Sequence, residues 1–283
     1  MTNNNYVEAK PKKKLKKLGI LSTPYLVWNF FLIIIPSLIL IVMAFTTYDF
    51  SSNSEFKISL SNWSYVFGSS YAKTVFWPAM GRSFLISFLV TVICFLFAYP
   101  TAYFMRFLNN KVRGIIMLLL VLPLWSNQVL RIVSWKTIFE IIGLNESGFY
   151  QFNIVIAMIS MYLPYMILPI YSVLEKIDDK VIEASYDLGA NKFETFFKVT
   201  FPLSISGIIS GIIMVFLPSL TQFEVSDAIS DRTIVMLGNL IYKRFKGTGG
   251  FNVGSVFSLI TIIFTVMGFI LVMRVDKEGE TLI

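Results

Sequence analysis

The sequence has 283 residues, no histidine, one cysteine, and only 14% charged residues. Without histidine, neither a serine triad of the usual kind nor a histidine-ligated metal centre can be built. Cys94 stands alone in an apolar run, which excludes a disulfide within the chain and leaves packing as its role. A nucleotide loop is missing too. Gly143 and Gly148 have the required glycine spacing, but Phe149 and Tyr150 occupy the places of the lysine and the hydroxyl. The adjacent carboxylates Asp178 and Asp179 open a helical stretch, where negative charge suits the helix dipole, so they read as caps and not as acid and base. The chain is therefore expected to be no enzyme and to hold neither metal nor cofactor.

What it has in abundance is apolar sequence: 55% hydrophobic residues and a mean hydropathy of +0.70, the profile of a polytopic membrane protein. Runs long enough to cross about 30 Å of hydrocarbon fall at about 24–46, 83–105, 115–134, 153–174, 203–223 and 253–273. The expectation is one all-α domain of six spans over 24–274, between a basic tail, 1–23, and a short tail, 275–283. The basic start leads into a run too long for a signal peptide and no cleavage site follows, so the first span is expected to stay in place. Pro36, Pro123, Pro164, Pro169 and Pro218 fall within the runs, and kinks are expected there. Trp28 and Tyr48 read as interfacial anchors of the first span. Lysines and arginines gather on one side: the run from Lys10 to Lys17, then Arg106, Lys111 and Arg113, then Lys176, Lys180, Lys192 and Lys198, then Arg274 and Lys277. That bias places both termini and the loop at about 175–202 in the cytoplasm of a cell-membrane protein. It also accounts for the net charge of +7 through lipid and topology, without nucleic acid. Between Asp49 and Pro78 an external segment carries Trp63, Tyr65 and Phe67, which suggests that part of it folds back onto the protein.

The longest polar interruption is Glu183–Pro202. Apolar residues return at Val181, Ile182, Tyr186 and Leu188 until Gly189 stops the pattern like a helix-ending left-handed cap. Asn191 with Glu194 has capping-box spacing, and Phe193, Phe196, Phe197 and Thr200 are expected on one stripe of a second helix. A helix–turn–helix with small residues Ala184, Gly189 and Ala190 between spans implies a partner protein against which it buries.

This unit resembles the cytoplasmic loop of permease subunits of ATP-binding-cassette importers, which carry E-A-A, three residues, glycine, nine residues and I-x-L-P. Here Glu183, Ala184 and Ser185 precede Gly189, and Val199, Thr200, Phe201 and Pro202 follow at that spacing. LPLWSNQVLRI (122–132), LPYMILPIYSVLEKID (163–178) and LPSLTQFEVSD (217–227) further resemble the first permease subunit of spermidine/putrescine importers. The resemblance implies the type I importer permease (MetI-like) fold and polyamine as cargo. It implies a homologous second permease forming a heterodimer, an extracytoplasmic substrate-binding protein, and two ATPase subunits that carry the ATP and magnesium. It also implies that Glu183, Ala184, Ser185, Asp187, Gly189, Ala190 and Pro202 couple to the ATPase.

Candidate pathway residues come from polar groups at costly positions. Asn127, Gln128 and Arg131 in the third span must face protein or water, unless Arg131 snorkels to the interface. Trp125 offers an aromatic face to an ammonium. Glu224, Asp227 and Asp231, three and four apart, would share a helix face as an acidic stripe, with Asp227 and Glu224 meeting cationic cargo; the bland reading of Asp227 and Asp231 is as caps or turn residues. Gly207 and Gly211 form a face on which another helix can approach closely. KGTGG, with Gly247, Gly249 and Gly250, reads as a turn. Within the importer class, iron, sulfate or a phosphonate stay open as cargo, although an acidic stripe hinders anions. The rival class, an ion-gradient transporter or channel, needs an intramembrane acid, and the spans from Phe84 to Leu220 hold none at mid-depth.

Overall fold

A computed structural model describes residues 24–47, 56–247 and 250–275, with side chains to residue 270 in the last helix. The lysine run Lys10–Lys17, Tyr48, Asp49, Gly249, Lys277 and the Arg274 side chain, on which parts of the topology reading rest, lie outside the described residues. The described residues form helices, with one isolated antiparallel bridge between Thr46 and Ile58. In order these are α1 (Pro24–Ala44), α2 (Ser61–Gly68), α3 (Ala72–Arg106) and α4 (Asn110–Trp125), then α5 (Gln128–Ile141), α6 (Tyr150–Leu174), α7 (Asp179–Asp187) and α8 (Lys192–Leu203). The chain closes with α9 (Ile205–Thr221), α10 (Glu224–Ile229), α11 (Leu237–Lys246) and α12 (Phe251–Val275).

Among the described residues α1, α3, α6 and α12 are each long and apolar enough to cross a membrane, and two bent pairs, α4–α5 and α8–α9, bring the number to six if each counts once. Two expectations change. The second span belongs to a helix that starts at Ala72, not near residue 83. The third, expected as one span over 115–134, is broken: α4 and α5 meet at 96° around Ser126–Asn127. The sequence signal for the break is capping chemistry and not Pro123, which sits inside α4. Asn127 Oδ1 accepts the Val129 N–H at 2.8 Å, and Ser126 Oγ donates to the Pro123 carbonyl at 2.7 Å, so both helix ends close on themselves. The other sharp bend, 59°, falls between α8 and α9. Pro164 and Pro169 lie within an unbroken α6.

The core is a three-helix centre of α3, α6 and α9. Val90, Cys94, Ala98 and Ala102 of α3 pack fully buried against Ile154, Ala157, Met158, Met166 and Ile170 of α6. The helix α9 enters this centre antiparallel to α6 through its small residues. A Cβ at Gly207 would lie 2.8 Å from the Pro169 carbonyl oxygen and 3.1 Å from Ile170 Cα, and one at Gly211 would lie 2.6 Å from Met166 Sδ. The small-residue face is thus a backbone-to-backbone contact. A second apolar cluster joins Ala44, Val66, Phe76, Leu237, Val256 and Phe257, with Phe76 stacked on Phe257 at 4.4 Å. In it α2 packs back onto the protein: Trp63 stacks on Phe67, and Asn62 Nδ2 donates to the Thr46 carbonyl at 2.8 Å.

Because two of the three atoms nearest a Cβ at Gly207 are backbone, of Pro169 and Ile170, Gly207→Ala must push two helices apart. Gly211→Ala meets mainly the flexible end of Met166. Gly207→Ala is expected to cost about 1–3 kcal/mol and Gly211→Ala less, read as the ordering of thermal unfolding midpoints of the purified protein in detergent.

Candidate functional site

The ends of α6 and α9 carry two different polar constructions. At one end, α6 runs into α7 and α8 returns into α9. Asp178 caps α7 by accepting the Lys180 N–H at 3.0 Å, as expected, while Asp179 does more than cap: its Oδ1 lies 2.5 Å from Nη2 of Arg106, which also donates to the Ile177 carbonyl at 2.7 Å. The Arg106 side chain is 7% exposed, so the end of α3 clamps the start of α7. Gly189 adopts φ +86° between α7 and α8, and Asn191 and Glu194 form the expected capping box, each accepting the other's backbone N–H at 2.9 and 3.1 Å.

Ser185, standing where the permease pattern has alanine, is buried, and its hydroxyl pairs with that of Thr195 at 2.8 Å. The departure is matched inside the hairpin and ties its two helices together. The aromatic stripe divides. Residues 196–200 take a wider π-helical turn, which shifts the register. Thr200 is buried and Phe196 packs on Tyr99 and Tyr103, whereas Phe193 and Phe197 stay exposed with rings 4.6 Å apart. Around them Glu183, Ala184, Tyr186, Asp187, Leu188, Gly189 and Pro202 are exposed and Ala190 is half-buried. Leu188, 89% exposed, and Phe193, 71% exposed, make this an apolar tip with acids beside it.

At the opposite end, α9 leads into α10, packed against α5, α6 and α11. The three carboxylates do not form a shared stripe. The helix α10 ends at Ile229, and Asp231 lies beyond it in a turn with φ +47°, so it is a turn residue. Each acid has its own partner. Glu224 Oε2 accepts from Gln128 Nε2 at 3.2 Å, Asp227 Oδ1 from Asn239 Nδ2 at 2.6 Å, and Asp231 Oδ1 from Lys136 Nζ at 2.5 Å. The Asp227 carboxylate thus pairs with an amide and with the guanidinium of neither Arg232 nor Arg131. Asn239, which sequence reasoning missed, is the hub. It is 1% exposed, and its Oδ1 accepts from Ser226 Oγ at 2.9 Å and from the Met236 N–H at 2.7 Å.

Arg131 and Trp125, both expected to help shape the pathway, fall on opposite sides of the break. Trp125, the last residue of α4, is 84% exposed. Arg131 turns inward from α5 to a cavity of about 340 Å³ shared with Gln128, Met161, Tyr162, Tyr165, Met214, Pro218, Thr221 and Gln222. Its Nε and Nη1, and Nε2 of Gln222, are buried without an acceptor. Gln128, one helical turn before Arg131, links this cavity to Glu224. The arrangement can hold a polar solute between carboxylate, amide, phenol and guanidinium, and among the described residues no group of three or more His, Cys, Asp or Glu could hold a metal ion.

Residues 95–277 match the family described as binding-protein-dependent transport system inner membrane component. The chain is 32% identical over 258 residues to the spermidine/putrescine transport system permease protein PotB of Haemophilus influenzae, covering 86% of this chain and 88% of that protein. It is 30% identical to PotB of Escherichia coli, covering 85% of this chain and 91% of that one. Among solved structures, a chain of a bacterial alginate ABC transporter, in complex with an alginate pentasaccharide-bound periplasmic protein, superposes with a TM-score of 0.70 at 14% identity, covering 95% of this chain and 98% of that chain. That likeness bears on the fold.

Replacing Asn239 with alanine would take their partner from the Met236 N–H and the Asp227 carboxylate at once, while the Ser226 hydroxyl keeps the Phe223 carbonyl at 3.0 Å. A loss of about 2 kcal/mol or more is expected, whereas Asp227→Asn keeps a hydrogen-bonding oxygen in place and should unfold close to the unaltered protein; thermal unfolding of both variants checks the contrast.

Proposed function

Because the chain belongs to the family of binding-protein-dependent transport system inner membrane components, we propose that it is one permease subunit of an ATP-driven importer of polyamines of the spermidine/putrescine class. The observation that carries the cargo class is the 32% identity to a spermidine/putrescine permease across 86% of the chain. Carboxylates at one end of the bundle suit a cationic cargo, and family membership decides against an ion-gradient transporter.

In this reading a homologous second permease completes the pathway, an extracytoplasmic binding protein delivers cargo at the α10 end, and two ATPase subunits dock at the α7–α8 end. The chain sits in the cell membrane with both termini on the cytoplasmic side, as the lysine and arginine distribution favours. Residues 24–274 form the permease unit, with coupling confined to about 175–202. The exposed Leu188, Phe193 and Phe197 tip supplies apolar surface for docking, Gly189 sets the angle between α7 and α8, and Glu183 and Asp187 offer charge to a basic partner. Ala184, Ala190 and Pro202 keep the surface low enough for close approach, and Ser185 braces the hairpin from inside.

ATP binding closes the ATPase pair, the hairpin moves with it, and α6 and α9 carry the displacement to α10. There Glu224 and Asp227 form a low-affinity station for ammonium groups, each charge-assisted contact being worth about 1.5–3 kcal/mol. Arg131 limits retention by placing a fixed positive charge nearby, and Trp125, outward on α4, faces the second permease.

Two variants separate the halves of this mechanism. Gly189→Val strains a left-handed position by about 1 kcal/mol or more; the purified complex should keep its fold and lose cargo-stimulated ATP hydrolysis, and unaltered stimulation would refute the coupling role. Asp227→Asn should lower polyamine uptake with complex yield and basal ATPase activity retained, and normal uptake would remove Asp227 from the pathway.

A further inference from the structure

Beyond Glu224 and Asp227 lies a separate polar pocket of about 130 Å³, enclosed by α5, the start of α6 and the turn after α10. Its polar lining is Lys136, Glu140, Asn145, Tyr150, Asn153 and Asp231. Within it the Lys136 ammonium sits 2.5 Å from Asp231 Oδ1. Asn153 is 1% exposed; its Nδ2 donates to the Leu144 carbonyl at 2.6 Å, and its Oδ1 is buried with no donor. A buried carbonyl oxygen without a donor in a pocket that also holds two carboxylates is an acceptor site short of one cation.

We propose that this pocket is a second subsite for a primary ammonium group of the cargo, held in the resting protein by the tethered ammonium of Lys136; this rests on the polyamine reading above. An alkylammonium presents three N–H donors, and Asp231, Glu140 and Asn153 Oδ1 supply three acceptors. The occupant seen in the structure is itself a primary ammonium, and the acceptor set is one that ammonium can satisfy without the three ionisable ligands of a metal cluster, of which the described residues hold none. Exchange is open. The Lys136 and Asp231 side chains are 31% and 63% exposed, so an incoming ammonium can displace one that stays attached to α5. The turn that carries Asp231 is closed by the Arg232 N–H on the Asp227 carbonyl at 3.2 Å, which keeps the pocket next to the Asp227 station.

The test uses the full permease–ATPase complex in lipid nanodiscs with Asn145→Cys as a reporter at the pocket lip. Cys94 is buried, so within this chain the new thiol is the one that a maleimide reaches, and labelling is read on this subunit after the complex is separated. 1,4-Diaminobutane should slow labelling. Its half-protecting concentration should fall about tenfold in Lys136→Met, where the competing charge-assisted hydrogen bond is gone, stay near the original value in Lys136→Arg, and give way to no protection in Asp231→Asn. Should Lys136→Met fail to assemble, Lys136→Gln gives the same reading. Equal half-protection with and without the Lys136 ammonium, or equal protection by 1,4-butanediol or potassium ion, overturns the proposal. Polyamine uptake by the unaltered complex distinguishes the two claims: protection as predicted without uptake leaves an alkylammonium site and refutes the cargo, while uptake without protection refutes the subsite alone.

Discussion

The contact on which the rest depends is the backbone approach of α9 to α6 at Gly207 and Gly211. In lipid no hydrophobic drive brings helix to helix, so association relies on close packing, and a missing Cβ is what makes that packing possible here. The consequence is mechanical. The helix α6 leads into the α7–α8 hairpin and α9 leads out of it, so locking the two together makes the hairpin one end of a stiff unit. Seventeen residues of α9 span about 25 Å and end one turn before Glu224. A displacement imposed at Leu188 and Phe193 therefore passes the bend at Ser204 into packed helix and reaches α10 across Gln222 and Phe223. Arg106, clamping Asp179 and the Ile177 carbonyl, adds α3 to the same unit.

Where helices break, side chains close the gap. A membrane offers no water to bare amides and carbonyls, so a 96° turn between α4 and α5 persists only because Ser126 and Asn127 satisfy its ends. The break decides the layout of this end of the bundle. It turns Trp125 outward and swings Gln128 and Arg131 toward α6 and α9, creating the cavity beside Glu224. The same logic governs α10, where Asn239 takes over hydrogen bonds that a short helix cannot supply, and so presents Asp227 at a fixed position.

Features set by local chemistry were legible in the sequence. Gly189, the Asn191–Glu194 box, the Asp178 cap and the Gly207–Gly211 face depend on residues close in the chain, and the structure has each where spacing placed it. Features set by tertiary contact were not. The break at Ser126–Asn127 falls inside a run whose overall hydropathy reads as one span, with the polar Asn127 and Gln128 read as groups that face protein or water. The division of Phe193 and Phe197 from Phe196 depends on a π-helical turn that no 3.6-residue period anticipates. The acidic stripe dissolved because each carboxylate found a partner far along the chain, Gln128, Asn239 or Lys136. Asn239, a lone amide among apolar residues, was a signal available and passed over.

The central claim is that this permease forms half of a polyamine pathway driven by ATP. It is tested most directly by loading the complete complex into vesicles and following radiolabelled spermidine and putrescine with binding protein and ATP present. The account predicts ATP-dependent accumulation that either polyamine competes away and that sulfate, a phosphonate or ferric ion leaves unchanged. Accumulation abolished by one of those solutes and untouched by polyamine would contradict it.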